Sequence, residues 1–136
     1  MIRYLLDSNV LLHVVNRADG YEKIVRRLAT AQIGTVLVSA VTVWEVVRMA
    51  EKAKVPAKAS KAAVALLETF DVEPLAQHAA ALGGAIHGAL SKIGLTIGER
   101  DSMIAGIAVS GGFILVSDNT REFSRVQGLK LENWRL

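Results

Sequence analysis

Three times in this chain a short apolar run of strand length stops abruptly at polar residues, and that recurrence limits the possible folds more than any single motif. Ile2 to Leu6, interrupted only by Arg3, ends in Asp7-Ser8-Asn9, after which Val10, Leu11, Val14 and Val15 recur at helical spacing. Thr35-Val36-Leu37-Val38 ends at Ser39, and Phe113-Ile114-Leu115-Val116 ends at Ser117-Asp118-Asn119-Thr120. Strand, polar turn and helix in repetition predict an α/β fold, in which ligands sit beyond the carboxyl ends of the strands.

A hydrophobic share of 51% with 21% charged residues excludes a disordered chain and suits strands covered on both faces. At 136 residues one domain over 1–136 is expected. The absence of cysteine removes disulfides, zinc-thiolate sites and thiol nucleophiles, and suits a reducing cytoplasm. No secretory signal is read at the N-terminus. Pro74 to Ser91 holds no charged residue, but a run of Ala and Gly with Gln77, His78 and His87 is not a membrane span.

The remaining segments fill in the units between the strands. Tyr21 to Ala31 is amphipathic, with Ile24, Val25 and Leu28 opposite Lys23, Arg26 and Arg27. Val41 to Lys52 resumes helical packing, Ala53 to Val55 reads as a break, and Pro56 opens a helix to about Thr69. Phe70 to Glu73 predicts a short strand, Pro74 the start of an Ala/Gly-rich helix to about Lys92, and Ile93 to Gly98 a loop. Gly83, Gly84 and Gly88 inside that helix suggest close helix approach or a kink. A buried helix follows Glu99-Arg100-Asp101, and Leu129 to Trp134 alternates like an edge strand. Two basic groups, one from Arg17 to Arg27 and one from Arg48 through Lys52, Lys54 and Lys58 to Lys61, are either solvated helix faces or contacts for nucleic acid.

Four acids gather at one end of this arrangement. Asp7 and Asp118 directly follow strands, while Glu45 and Asp101 lie early on helices that begin at the same sheet edge if the crossovers are right-handed. Each has a structural reading as well. Asp7 or Ser8 can cap a helix, Thr42-Val43-Trp44-Glu45 matches a capping box, and Asp101 suits the positive end of a helix dipole. Convergent carboxylates repel unless a cation sits among them, and hard oxygen donors suit Mg²⁺ or Mn²⁺. Such ions support phosphodiester hydrolysis. Setting these four aside from the 13 acidic residues leaves 9 against 16 basic ones, a surplus able to follow a phosphate backbone. Ser8 and Asn9 would orient a ligand or a water. An aspartate-nucleophile phosphatase would want an acid where Asn9 stands, and a receiver domain an acidic pair where Asp7 stands alone.

The segments Tyr4 to Leu11, Val38-Ser39 through Glu45, Ile97 to Asp101 with Ile104-Ala105, and Leu115 to Phe123 occur in the order that resembles the PIN-domain ribonucleases. Within them the chain is similar to the toxins of VapBC-type toxin–antitoxin pairs, and the ending from Val126 to Trp134 fits as well. The resemblance implies a PIN-like three-layer α/β/α sandwich with a central, mainly parallel sheet of about five strands. It implies a metal-dependent endoribonuclease with Asp7, Glu45, Asp101 and Asp118 as first to fourth metal ligands, supported by Ser8, Asn9 and Asn119. Glu99 and Glu122 are rim residues in this reading. It further implies a homodimer and a cognate antitoxin; from their position, Arg100 or Arg121 would contact an inhibitory acidic partner or an RNA. The alternative is a catalytically inactive PIN-like module that binds RNA or protein.

Overall fold

The computed structural model describes residues 1–53 and 56–136. Five strands form one sheet in the order β3-β2-β1-β4-β5, and every neighbouring pair is parallel. They are β1 (Tyr4–Leu6), β2 (Val36–Ser39), β3 (Asp71–Glu73), β4 (Ile114–Val116) and β5 (Lys130–Glu132). The predicted mainly parallel sheet is therefore wholly parallel, with the short strand after Phe70 and the tail strand on its two edges.

Alternation along the three central strands separates two cores. Leu5, Leu37 and Leu115 are aligned across β1, β2 and β4 and point to one face; Leu6, Val38 and Val116, one residue on, point to the other. Helices α1 (Ser8–Val15), α2 (Tyr21–Thr30), α3 (Ala40–Glu51) and α4 (Pro56–Leu67) connect β1 to β2 and β2 to β3, and their Val10, Leu11, Ile24, Val46 and Leu67 cover the Leu6 face. Helices α5 (Gln77–Lys92) and α6 (Glu99–Gly111) carry the chain back across the sheet to β4, and α7 (Thr120–Phe123) leads toward β5; Leu90, Ile104, Ile107 and Phe123 cover the Leu5 face. Reversing the winding direction moves right-handed crossovers to the opposite face, which produces three layers. The reversal leaves a crevice between the ends of β1 and β4.

Gly83 on α5 and Gly106 on α6 set the distance between those two helices. A β-carbon on Gly83 would lie 2.8 Å from the Ser102 carbonyl oxygen, and one on Gly106 would run into the backbone of Ala79 and Gly83. The predicted close approach is thus specific to Gly83. Gly84 and Gly88 face open space.

Three local expectations need correction. The helix predicted from Pro74 begins at Gln77, because Leu75 turns inward onto the Leu5 core and Ala76 stays extended at ψ 167°. Ser8 does not cap α1: Asp7 holds the cap position and Ser8 is the first helical residue. The capping box at Thr42–Glu45 is also unused, since Ser39 caps α3 by accepting a 3.0 Å bond from the Thr42 amide. The break read at Ala53 to Val55 falls partly on residues 54–55, outside the described residues, as does Lys54 of the second basic group. Among the described residues no helix is long and apolar enough to cross a membrane.

Candidate active site

Asp7 lies at the crevice between β1 and β4. Its amide still belongs to the sheet, donating to the Val116 carbonyl at 2.9 Å, while its own carbonyl accepts from Val10 as α1 begins. The carboxylate is 3% exposed. Oδ1 accepts from the Ser8 amide at 2.9 Å; Oδ2 accepts from Ser117 Oγ at 2.8 Å and from Asn9 Nδ2 at 3.2 Å. Burial pushes the Asp7 pKa up to about 7, helped by the nearby charges of Asp101 and Glu45 and opposed by the bonds from Ser117 and Ser8. Beside it Asn9 Oδ1 is buried and has no donor among the described residues.

With Ser39 serving the first turn of α3, Glu45 in the second turn is free for other contacts. Its side chain is 12% exposed; Oε1 accepts from Ser8 Oγ at 3.3 Å and Oε2 from Arg100 Nε at 3.2 Å. Asp101 is the third residue of α6, a helix whose cap, Gly98, offers no side-chain bond, so a carboxylate in this turn also answers the helix dipole. Burial again comes first in raising its pKa, to about 6, followed by the charges of Glu45 and Glu122. Asn119 Nδ2 bridges the same pair, donating to Glu122 Oε2 at 3.1 Å and to Asp101 Oδ2 at 3.4 Å. Glu99, exposed, lines an open cleft of about 350 Å³ with Glu45, Gly98, Arg100 and Asp101.

Asp118 faces elsewhere. Its Oδ2 lies 2.6 Å from His13 Nε2 and 2.8 Å from Arg135 Nη1, and Arg135 is itself held by a bond from Nε to the Asp19 carbonyl. Burial disfavours its charge, but the bonds from His13 and Arg135 outweigh that and hold the carboxyl below its ordinary value. The charges that raise Asp7 are those of Asp101 and Glu45, and those that raise Asp101 are Glu45 and Glu122, partly offset by Arg100. The structure therefore brings Asp7, Glu45, Asp101 and Glu122 together, with Ser8, Asn9 and Asn119 bonded to them, and leaves Asp118 on a flank.

Sequence reasoning missed Ser117, His13 and Arg135 as partners of these acids. Ser117 had a signal, since it ends a strand paired with the one that ends at Asp7. His13 lies four residues after Asn9 on the same helix face. Arg135 had none: its contact is made by a tail 17 residues beyond Asp118.

Among the described residues no three acidic or histidine side chains are drawn to metal-holding distance. The donor set nevertheless suits a hard cation. It consists of carboxylate oxygens, two of them on residues whose pKa values are raised, with the Asn9 amide oxygen left over. A divalent ion would relieve the cost of ionising Asp7 and Asp101 so close together.

A family model of the PIN domain matches residues 4–129. Ribonuclease VapC2 of Haemophilus influenzae is 40% identical, over 98% of this chain and 99% of its own. The tRNA(fMet)-specific endonuclease VapC of Shigella flexneri is 34% identical, over 98% and 99%. Among solved structures, DNA-bound VapBC from Salmonella typhimurium superposes with a TM-score of 0.90 at 29% identity, covering 98% of this chain and 99% of that one.

Proposed function

Because the chain belongs to the PIN-domain family, we propose that it is a metal-dependent endoribonuclease that hydrolyses RNA phosphodiester bonds and serves as the toxin of a toxin–antitoxin pair. The observation that carries this reading is the group of carboxylates at the β1–β4 crevice, Asp7 buried and Glu45, Asp101 and Glu122 half-buried beside it, with Asp7 raised to about 7 and Asp101 to about 6. Paired acids held at such values are unusual for purely structural side chains and common where a cation or a proton is handled.

Asp7, Glu45 and Asp101 are the residues that would hold Mg²⁺ or Mn²⁺. A divalent cation bound there supplies Lewis-acid chemistry and a nucleophilic water at neutral pH. The chain does the positioning. Ser117 and the Ser8 amide fix the two oxygens of Asp7, Ser8 Oγ and Arg100 fix those of Glu45, and Asn119 holds Asp101 against Glu122. Asn9 offers its free amide oxygen to a water or a ligand. We assign Asp118 to the rim as the outlying fourth acid, joining the centre only when its carboxylate leaves His13 and Arg135, and Glu99 to the cleft wall. Arg100, half-exposed beside the acids, is placed to meet a substrate phosphate.

Relatives solved as VapBC complexes support a cognate antitoxin as partner. A homodimer and a cytoplasmic location complete the proposal, in one domain over 1–136. The test is cleavage of total RNA by the purified chain with Mg²⁺ or Mn²⁺, with a chelator, and with Asp7→Asn. Cleavage that needs the metal and is lost in the variant is the expected result. Cleavage indifferent to both would remove the mechanism, and no cleavage by the metal-loaded wild type would favour an inactive binding module.

A further inference from the structure

Trp44 is out of place as a structural residue. The chain has two tryptophans; Trp134 is 4% exposed and packed edge-on against Tyr4, whereas Trp44 is 52% exposed. Its indole immediately precedes Glu45 on α3 and has two guanidinium groups over its ring, that of Arg100 at 5.1 Å and that of Arg48 at 5.3 Å. Arg100 also bonds Glu45 at 3.2 Å, so one side chain joins the aromatic surface to the acidic centre. Arg48 Nε is buried with no acceptor among the described residues.

The space around the indole matches these groups. Trp44, Val41, Leu75 and Met103 form an apolar cleft of about 460 Å³, within the size range of small-molecule sites. Glu99 and Arg100 line both this cleft and the acidic one, so the two are adjoining. An aromatic face, an apolar floor and two cations, next to carboxylates suited to a divalent ion, are what a single nucleotide requires. The base stacks and its phosphates meet guanidinium groups. An acidic peptide would gain from the arginines but would face Glu45, Glu99 and Asp101 a few residues away.

Resting on the ribonuclease reading, we propose that Trp44, flanked by Arg48 and Arg100, is the platform on which an unpaired RNA base stacks while the adjoining phosphate enters the acidic cleft. The site therefore takes single-stranded or looped RNA. A base held inside a duplex cannot reach the indole.

The experiment uses the full chain carrying Asp7→Asn, with Mg²⁺, so that RNA is bound and not cut. Trp44→Ala and Trp44→Phe are added singly, and circular dichroism checks that each variant is folded. The probe is a short single-stranded oligoribonucleotide of mixed sequence, followed by anisotropy, with the same strand annealed to its complement as comparison. Loss of one stack predicts that Trp44→Ala weakens single-strand binding roughly 5- to 150-fold while Trp44→Phe keeps most of it, and that duplex binding hardly changes. In the cleaving chain, Trp44→Ala should raise KM more than it lowers kcat. Unchanged single-strand affinity in Trp44→Ala overturns the proposal. So does sedimentation showing that the substitution separates two copies and that binding falls only through that dissociation. If the parent binds no RNA and the wild type cleaves none, the ribonuclease reading falls and takes this one with it.

Discussion

Asp7→Asn should make the metal-free protein more stable at pH 8 while removing its RNA cleavage. Asp7 titrates near 7 in the folded chain against an ordinary 3.8, so the folded state holds this proton more tightly than the unfolded state does. Stability linked to Asp7 is therefore fully present below about pH 4, is lost as the pH rises through 7, and stays lost above it. A shift of about 3 pH units corresponds to a ceiling of about 4 kcal/mol, with little solvent discount because the group is 3% exposed. Asn removes the charge but presents an amide donor where Ser8, Ser117 and Asn9 all donate. Ser117 can turn its hydroxyl, and a flip of Asn9 offers its unpartnered oxygen, so reorganisation returns only part of the gain. We expect a net stabilisation of about 2 kcal/mol, or roughly 5–10 °C in Tm for a chain of this size. Thermal melts in chelator at pH 8 and pH 5 measure it. The gain should be smaller at pH 5, where the folded chain keeps the Asp7 proton and only the unfolded chain ionises it, and Mg²⁺ should raise the Tm of the wild type more than that of the variant. A variant that melts no higher than wild type at pH 8 in chelator would refute the argument that buried charge at Asp7 is costly.

Glu45→Gln should lower metal-dependent cleavage by at least 100-fold, of the order seen when a transition-state electrostatic group is lost; wild-type rates at saturating Mg²⁺ would refute its assignment. Gly106→Ala should destabilise the fold by about 1–3 kcal/mol or more, because its β-carbon has only backbone to meet, whereas Gly84→Ala, facing open space, should stabilise by about 0.5–1 kcal/mol. Denaturant unfolding of the pair tests this, and equal effects would refute the contact. Arg135→Ala should let the Asp118 pKa rise, seen by NMR titration of its carboxyl. Since a depressed carboxyl stabilises the fold above its unfolded pKa and loses that as pH falls through the folded one, the variant should also be less sensitive to acid.

The sheet was legible because its strands carry their own signal. Leu5 and Leu6, Leu37 and Val38, and Leu115 and Val116 are all apolar, as a strand covered on both faces requires. Asp7, Glu45 and Asp101 were legible as a group because backbone topology alone brings their α-carbons to one edge. Asp118 shows where that logic stops. Its backbone position follows from β4, but the direction of its carboxylate is decided by Arg135, whose contact depends on how the tail passes the sheet. Glu122 joins Asp101 through a bridge from Asn119, which stands three residues before it; the sequence puts Asn119 and Glu122 near the site, but their link to Asp101 comes only from the fold. The caps failed more locally: Ser39 and Thr42 both offer hydroxyls near the start of α3, and only the true end of β2 selects between them.

The glycine contact between α5 and α6 bears on how the two sides of the crevice respond to force or ligand. Asp101 is mounted on a helix whose backbone meets its neighbour's backbone directly at Gly83 and Gly106, so at that contact no side chain can change rotamer and absorb a displacement. Asp118 hangs from a short loop, and its carboxylate is held through side chains, His13 and Arg135, rather than through backbone contact. The crevice is thus built like a vice with one jaw set by backbone and one set by side chains, and ligands of different bulk should be accommodated more on the Asp118 side.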